Sequence, residues 1–212
     1  MKNQMTILVS LLFCLNVSAQ WSVGPKMGVG ILTQSQSDFR IQSWSDHGLY
    51  NLRYIGGTNV KSIGLMAYRD LGPFFIQTEV LATTYGQKYS MDSFKKSDAI
   101  SSEYIEEFYV VEIPVTAGVI IRKNFKLGVG HILEILADKN SELSQFSYYR
   151  DTSNKIDHGF QMLIGYRLGA LHLDVIYIDK FNSISDSFNF GNDEMKLEKS
   201  ANRLTLSLGV TF

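Results

Sequence analysis

The chain has 212 residues, and its 20 Lys and Arg residues nearly balance its 21 Asp and Glu residues. A net charge of −1 provides no long-range field that would favour nucleic acid or an acidic substrate as the partner. The single cysteine, Cys14, excludes a disulfide framework. The length fits one domain, and no internal repeat suggests a second.

The first 19 residues have the pattern of a secretory signal peptide. Lys2 supplies the positive start, residues 7–17 form an apolar core, and residues 17–19 (Val-Ser-Ala) are a small-residue cleavage site. The apolar core is shorter than the roughly 20 residues that an α-helix needs to span a bilayer. We therefore expect a signal peptide over residues 1–19 and one mature domain over residues 20–212.

The rest of the chain alternates between apolar and polar residues with a period of two, which is the pattern of half-buried β-strands. The clearest example is the last segment, RLTLSLGVTF, in which Leu204, Leu206 and Leu208 share one face while Thr205 and Ser207 share the other. The eight predicted strands cover residues 21–32, 61–69, 74–84, 108–121, 125–137, 158–168, 171–181 and 203–212.

Charge is distributed between the two faces of these strands as a membrane barrel requires. The apolar face is predicted to carry no charged residue before Asp179, near the end of the seventh segment, and His131 is its other polar exception. An Arg or Lys that faces lipid near the bilayer midplane costs roughly 2–4 kcal/mol. We therefore predict that the apolar face contacts lipid and that the glycine-rich, charged face lines the interior.

The connections between the predicted strands alternate strictly in length. The short ones cover residues 70–73, 122–124 and 169–170, and the long ones cover residues 33–60, 85–107, 138–157 and 182–202. This rhythm is typical of tight periplasmic turns and long external loops. The predicted fold class is therefore all-β, an eight-stranded antiparallel transmembrane up-and-down β-barrel with both termini in the periplasm. Pro114, inside the fourth strand, predicts a bulge or a lost ladder bond.

Several short motifs carry a resemblance to a known family. They are Ser-Ala-Gln at residues 18–20, GPKMGVG in the first strand, FFIQTEV at 74–80, VEIPV at 111–115 and the closing RLTLSLGVTF. In these motifs the chain resembles the PorT-like outer-membrane β-barrel family, which is common in Bacteroidota. The resemblance implies a barrel in the outer membrane of a Gram-negative-type cell and supplies no catalytic signature. The terminal Phe212 resembles the signal read by the barrel-assembly machinery, the expected partner during biogenesis.

An eight-stranded barrel is just wide enough for side chains to fill its interior. Because a buried charge needs a partner, we predict that inward charges of both signs form a lumen polar network. Its predicted members are Lys26, Glu79, Glu112, Glu134, Arg167, Asp174 and Arg203. Lys126, His172, Gln77 and Gln161 share the inward face. A proton or ion path along the same residues is the alternative.

No constellation of residues predicts catalysis. His172 and Asp174 share a face at a spacing of two, but no nucleophile motif accompanies them. The four histidines lie on separate segments without the spacing of metal ligands. We therefore expect no catalytic residue, no metal and no cofactor.

The predicted loop over residues 33–60 holds the candidate binding residues Trp44, Tyr50, Arg53 and Tyr54, because aromatic and Arg side chains favour recognition. The sequence predicts a non-enzymatic outer-membrane barrel protein that is either structural or binds a partner through its loops. One form of this hypothesis is an accessory role in a secretion or envelope complex. Its expected partners are outer-membrane lipids and an envelope protein, and not nucleic acid. A lipid-modifying enzyme of the outer membrane and a small-solute channel are the alternatives.

Overall fold

The computed structural model describes residues 21–33, 37–43, 48–93, 100–146, 149–151, 155–181, 187–190, 193–196 and 202–212. The predicted signal peptide and its cleavage site lie outside the described residues. In the described part of the chain, no helix has the length and apolarity needed to cross a bilayer.

The described residues form β-strands almost throughout, with one short 3₁₀ helix at Glu142–Gln145. In chain order the strands are β1 (Ser22–Thr33), β2 (Ser37–Ser43), β3 (Gly48–Gly57), β4 (Asn59–Leu71), β5 (Phe74–Ser93), β6 (Ile100–Ile121), β7 (Phe125–Ser141), β8 (Tyr149–Asp151), β9 (Ile156–Leu168), β10 (Leu171–Lys180), β11 (Ser187–Phe190), β12 (Asp193–Lys196) and β13 (Asn202–Val210).

Eight of these strands close into a ring. Each pairs antiparallel with its neighbours in the order β1, β4, β5, β6, β7, β9, β10 and β13, and β13 pairs back with β1. Each of the eight segments predicted from the sequence supplies one strand of this ring. The predicted fold class, an eight-stranded antiparallel up-and-down barrel, is confirmed.

The stagger of the ring can be followed through paired residues. A path that starts at Tyr166 on β9 crosses one residue per strand and returns to β9 at Ile156, ten residues earlier. The residues between are all apolar: Leu173, Leu208, Met27, Ile63, Ala82, Val111 and Ile135. A closed barrel with this stagger tilts its strands by roughly 35–45° from the axis, which leaves a narrow interior.

The outward face of the ring is an apolar belt, and polar residues mark the end of the belt farthest from the short turns. Ile63 is 64% exposed and Met27 is 57% exposed, although both are large apolar side chains. The expectation that only Asp179 and His131 interrupt this face was wrong, because Lys61 and His158 are also exposed on it. Lys61 has the same parity as Ile63, and His158 lies inside β9, so the period of two places both outward.

The three short connections are tight turns at one end of the barrel. Gly72 and Gly169 adopt positive φ values of 77° and 59°, which glycine tolerates without a steric penalty. The third turn uses Arg122 and Lys123 at φ values of 50° and 68°. The backbone N–H of Gly72 also donates to Asp70 Oδ1 over 3.1 Å.

Pro114 interrupts a ladder without bending the register. The β5–β6 pairing has the same register at Thr78–Val115 as at Leu81–Glu112, but no pair is formed between these two points. The Oγ1 of Thr78 instead donates to the Pro114 carbonyl over 3.2 Å. The prediction of a lost ladder bond is therefore confirmed, and no bulge lies between these pairs.

The described parts of the long connections are mostly β-strands rather than open loops, which corrects the sequence interpretation. β5 and β6 stay paired from Tyr85–Phe108 to Ser93–Ile100, and β3 adds to β5 while β2 adds to β3. We call β2, β3 and the parts of β5 and β6 over residues 85–93 and 100–108 the external sheet. Two other long links contribute the small sheet of β8, β11 and β12. In the sequence of these segments polar residues stand at both odd and even positions, which hides the alternation that marks the barrel strands.

Candidate functional site: the barrel interior and the external sheet

The half of the interior nearest the short turns holds a balanced group of charges. Lys26 Nζ lies 2.6 Å from Glu79 Oε1 and 3.2 Å from Asp174 Oδ2, and Lys126 Nζ lies 2.8 Å from Asp174 Oδ1. Gln77 accepts a hydrogen bond from Lys126 over 3.1 Å and donates to Asp174 over 3.3 Å. We call these five residues the Lys26 cluster. Its two ammonium groups balance its two carboxylates, so no net charge is buried there.

His172 belongs to the wall of this cluster. Its Nδ1 lies 3.2 Å from Lys126 Nζ, and its Nε2 lies 3.0 Å from Thr211 Oγ1. The ring also packs edge-on against Tyr68, with the centroids 4.8 Å apart. Because both ring nitrogens are engaged inside a closed barrel, His172 and Asp174 do not form a base and orienting carboxylate open to a substrate.

A second group fills the half of the interior nearest the long links. Lys180 Nζ lies 2.7 Å from Glu134 Oε1, and the Tyr85 hydroxyl donates to the same oxygen over 2.7 Å. Arg203 forms an ion pair with Glu112 and lies 3.6 Å from Glu134. We call these five residues the Arg203 cluster. The ring of Tyr85 also stacks on Phe108, with the centroids 5.3 Å apart, so apolar packing continues outward from the charges.

The space between the two clusters is almost completely filled. A cavity of about 20 Å³ remains, with Lys26 and Glu79 on one side and Glu112 and Arg203 on the other. This volume holds about one water molecule. Its lining is completed by apolar side chains, namely Val60, Leu81, Pro114, Ile132, Ile176 and Ile178, and by polar ones, namely Ser62, Thr83, Gln161, Thr205 and Ser207. At this level of the barrel the described side chains therefore leave no room for a solute.

The structure places most of the predicted lumen network inside, but not Arg167. That side chain lies at the short-turn mouth, 25% exposed, and its Nη2 is 2.8 Å from Asp70 Oδ2. Lys26, Glu79, Glu112, Glu134, Asp174 and Arg203 are all buried. Lys180 and Tyr85 were not among the predicted members. Tyr85 was missed because it lies in a segment read as a loop.

The four candidate binding residues have different positions. Trp44 lies outside the described residues, and of Tyr50 only the backbone, in β3, is described. Arg53 is exposed on β3. Tyr54 is fully buried and packs edge-on against Tyr89, with the centroids 5.9 Å apart. The prediction that Tyr54 lies in a loop was therefore wrong, since it lies in β3 and the pairing of β3 with β5 turns that side chain inward.

A third polar group joins the external sheet to the neighbouring strands. Glu106 is fully buried, and its Oε1 accepts hydrogen bonds from Ser141 Oγ over 2.7 Å and from the Tyr149 hydroxyl over 2.6 Å. Lys139 Nζ lies 3.3 Å from the same oxygen. These contacts tie β6 to β7 and β8, so the external sheet is held in a fixed position above the barrel.

We expect tyrosines of this external part to ionise unusually late. Burial raises the pKa of both Tyr54 and Tyr149 to about 12, and the Glu106 carboxylate adds to the effect at Tyr149. An unfolded tyrosine ionises near pH 10, so the stability that these residues provide is present below about pH 10 and lost as the pH rises to about 12. In a titration followed by absorbance at 295 nm, Y54F and Y149F should each remove one tyrosine from the late step. A loss from an early step near pH 10 instead would contradict this assignment.

Two histidines face outward on the apolar belt. The rings of His131 on β7 and His158 on β9 have centroids 5.3 Å apart and are tilted by 37°. The sequence had suggested that the histidines lie apart, and the pairing of β7 with β9 brings these two together. The described residues contain no group of three or more His, Cys, Asp or Glu that could hold a metal ion.

The closed ring, the apolar belt and the filled interior together define a small transmembrane β-barrel. No protein-family model matches the sequence, and no curated protein matches it. Among solved structures it is similar to the NanC porin at 11% identity, over 89% of this chain and 100% of that one, with a TM-score of 0.33. The translocator domain of the autotransporter NalP from Neisseria meningitidis matches at 12% identity, over 100% of this chain and 94% of that one, with a TM-score of 0.33. The outer membrane channel DcaP of Acinetobacter baumannii matches at 12% identity, over 89% of this chain and 72% of that one, with a TM-score of 0.26. These values carry no inference about function.

Proposed function

We propose that this protein is a non-enzymatic, non-conducting barrel of the outer membrane whose external sheet binds a partner at the cell surface. The filled interior is the observation that carries the proposal. The Lys26 and Arg203 clusters leave a cavity of only about 20 Å³ between them, so the interior has no room for a solute. Function then belongs to the surfaces outside the lumen, and a rigid scaffold that displays recognition elements is a common arrangement.

The outer-membrane location and orientation are part of this proposal. Short turns at one end and long links at the other are typical of outer-membrane barrels with periplasmic turns and termini. Exposed aromatic side chains cluster at the short-turn end, as expected at a membrane interface, and they include Trp21, Phe74, Phe125 and Phe212. The predicted signal peptide and the PorT-like resemblance agree with this location. The resemblance also suggests an accessory role in a secretion or envelope complex.

The external sheet is suited to binding because it is rigid and projects beyond the belt. β3 is paired with β5 from Tyr50–Ser93 to Gly57–Gln87, and the Tyr54–Tyr89 contact fixes the two strands side by side. The Glu106 hydrogen bonds hold β6 from the other side. A partner that binds here meets a surface that is already ordered. Little conformational entropy is then lost on binding, which favours affinity.

The two alternative functions fit the geometry less well. A solute channel would need the interior to open, and the ion pairs of both clusters oppose that. A lipid-modifying enzyme is favoured by one observation, the lipid-facing pair of His131 and His158. However, no hydrogen bond joins either ring to a carboxylate or a hydroxyl among the described residues, so neither imidazole is set up as a general base there.

Deleting residues 37–57 tests the proposed binding surface. Ile31 of β1 pairs with Asn59 of β4, so a short turn can join the two strands and leave all eight ring strands intact. We expect the variant to assemble and to keep heat-modifiable migration on gels. We also expect it to lose the partner that the full-length protein retains when it is cross-linked in envelope preparations.

The matched control is a deletion of residues 187–196, which removes β11 and β12 and leaves the external sheet in place. This control should keep the partner that the first variant loses. An identical partner set for the wild type and both variants would refute the assignment of binding to the external sheet.

A further inference from the structure

Lys61 is a cation in an unusual position. It lies on the outward face of β4, between Val29 of β1 and Thr84 of β5 in the backbone ladders. The side chain is exposed, and within the described part of the chain no ion pair or hydrogen bond engages its ammonium group. A long Lys side chain at the edge of an apolar belt keeps its stem on apolar surface and extends its charge toward the headgroups. The charge therefore lacks a protein partner where lipid phosphates lie.

A surface groove begins at Lys61 and continues over the apolar belt. Its volume is about 510 Å³, and Lys61 and Asn59 line it on β4. The remaining lining crosses β1, β13 and β10 and is apolar apart from backbone, with the side chains of Val29, Ile31, Val175, Leu204 and Leu206. The groove thus places one cation and one amide beside a hydrocarbon surface. This arrangement complements a ligand that carries both a phosphate and an acyl chain.

We propose that this groove binds a lipid A-type lipid of the outer leaflet, with one acyl chain on the apolar lining and a phosphate at Lys61. An ammonium binds phosphate as a point charge, and a basic residue at an anionic membrane surface contributes about 1 kcal/mol. The Asn59 amide supplies a further donor at the same end. The choice of the outer leaflet rests on the orientation given under the proposed function.

A negative charge on the other side of Lys61 explains why the phosphate binds on the side of the apolar groove. A second groove of about 420 Å³ lies there, lined by Thr84, Glu107 and Tyr109 among others. The Glu107 carboxylate accepts a hydrogen bond from the Tyr109 hydroxyl over 3.3 Å and is exposed. Its negative charge repels a phosphate, so the site accepts one lipid on one side of Lys61.

Native mass spectrometry of the purified protein in detergent, titrated with diphosphoryl lipid A, tests the proposal. K61Q should weaken binding about fivefold, as expected for the loss of one interfacial charge, whereas K61R should bind like the wild type. K123Q, which removes an exposed Lys from a short turn, is the matched control and should leave binding unchanged. E107Q should strengthen binding, because it removes the repelling charge.

Two further measurements test separately whether binding needs the phosphate of the lipid and whether it needs the apolar groove. Dephosphorylated lipid A should bind the wild type and K61Q equally, and V29W should weaken lipid A binding by filling the groove while Lys61 remains. Equal binding by the wild type and K61Q, or an equal loss in K123Q, would overturn the proposal. An equal dependence on Lys61 with phosphatidylglycerol would overturn the choice of lipid A. These measurements need neither the external sheet nor an orientation in the cell, so their failure is distinct from a failure of the proposed function.

Discussion

Replacing Arg203 by Ala is expected to lower the free energy of unfolding by about 3–5 kcal/mol, because it leaves a buried carboxylate without its cation. The Arg203 side chain is 1% exposed, and the side chains of its partners Glu112 and Glu134 are 4% and 2% exposed. Glu134 keeps Lys180 as a partner at 2.7 Å, so the loss falls mainly on Glu112. Urea unfolding of the folded barrel in lipid vesicles, followed by tryptophan fluorescence, measures the change.

Two further variants show whether the loss arises from a stranded charge. The double variant E112Q/R203Q removes both charges, so it should be more stable than R203A. The exposed pair of Arg167 and Asp70 is the matched control, and R167Q should cost no more than about 1 kcal/mol. Wild-type stability in R203A would mean that water reaches the Glu112 carboxylate.

The barrel could be predicted from the sequence because its signal is local. Inward and outward positions follow from the parity of residues along one strand, and each strand of the ring has an apolar face. The stagger of the ring is different, since it depends on how distant strands pair. Lys26 and Asp174 are 148 residues apart in sequence and meet only because β1, β13 and β10 are paired in one register. The sequence could therefore predict inward charges but not their partners.

The errors have physical causes as well. Parity gives the face of a residue but not its depth, so Arg167 was placed in the lumen although it lies one residue from the end of β9. Tyr54 was read as part of a loop because polar residues stand at both odd and even positions in the sequence around it. The pairing of β3 with the end of β5 buries Tyr54, and no local sequence pattern predicts that pairing. Structure beyond the membrane lacks the lipid-facing stripe that makes barrel strands recognisable.

The second prediction with a large expected effect is that the barrel does not conduct ions. Conduction needs a continuous water path. The buried ion pairs of the Lys26 cluster and of the Arg203 cluster oppose one, and only about 20 Å³ of open volume lies between them. Opening the barrel would separate buried ion pairs such as Lys26–Glu79 at 2.6 Å, and each separated pair would leave charges without partners. The block lies within the ring strands. Removing residues 37–57 from the external sheet should therefore leave the barrel interior blocked.

Single-channel recording in planar lipid bilayers tests the filled barrel most directly. The wild-type protein and the variant lacking residues 37–57 should both insert and show no stable current steps, while an open porin recorded under the same conditions shows them. Insertion is verified separately by the protection of the barrel from protease in the same lipids. Reproducible ohmic openings in the wild-type protein would contradict a filled interior and would favour the solute-channel alternative.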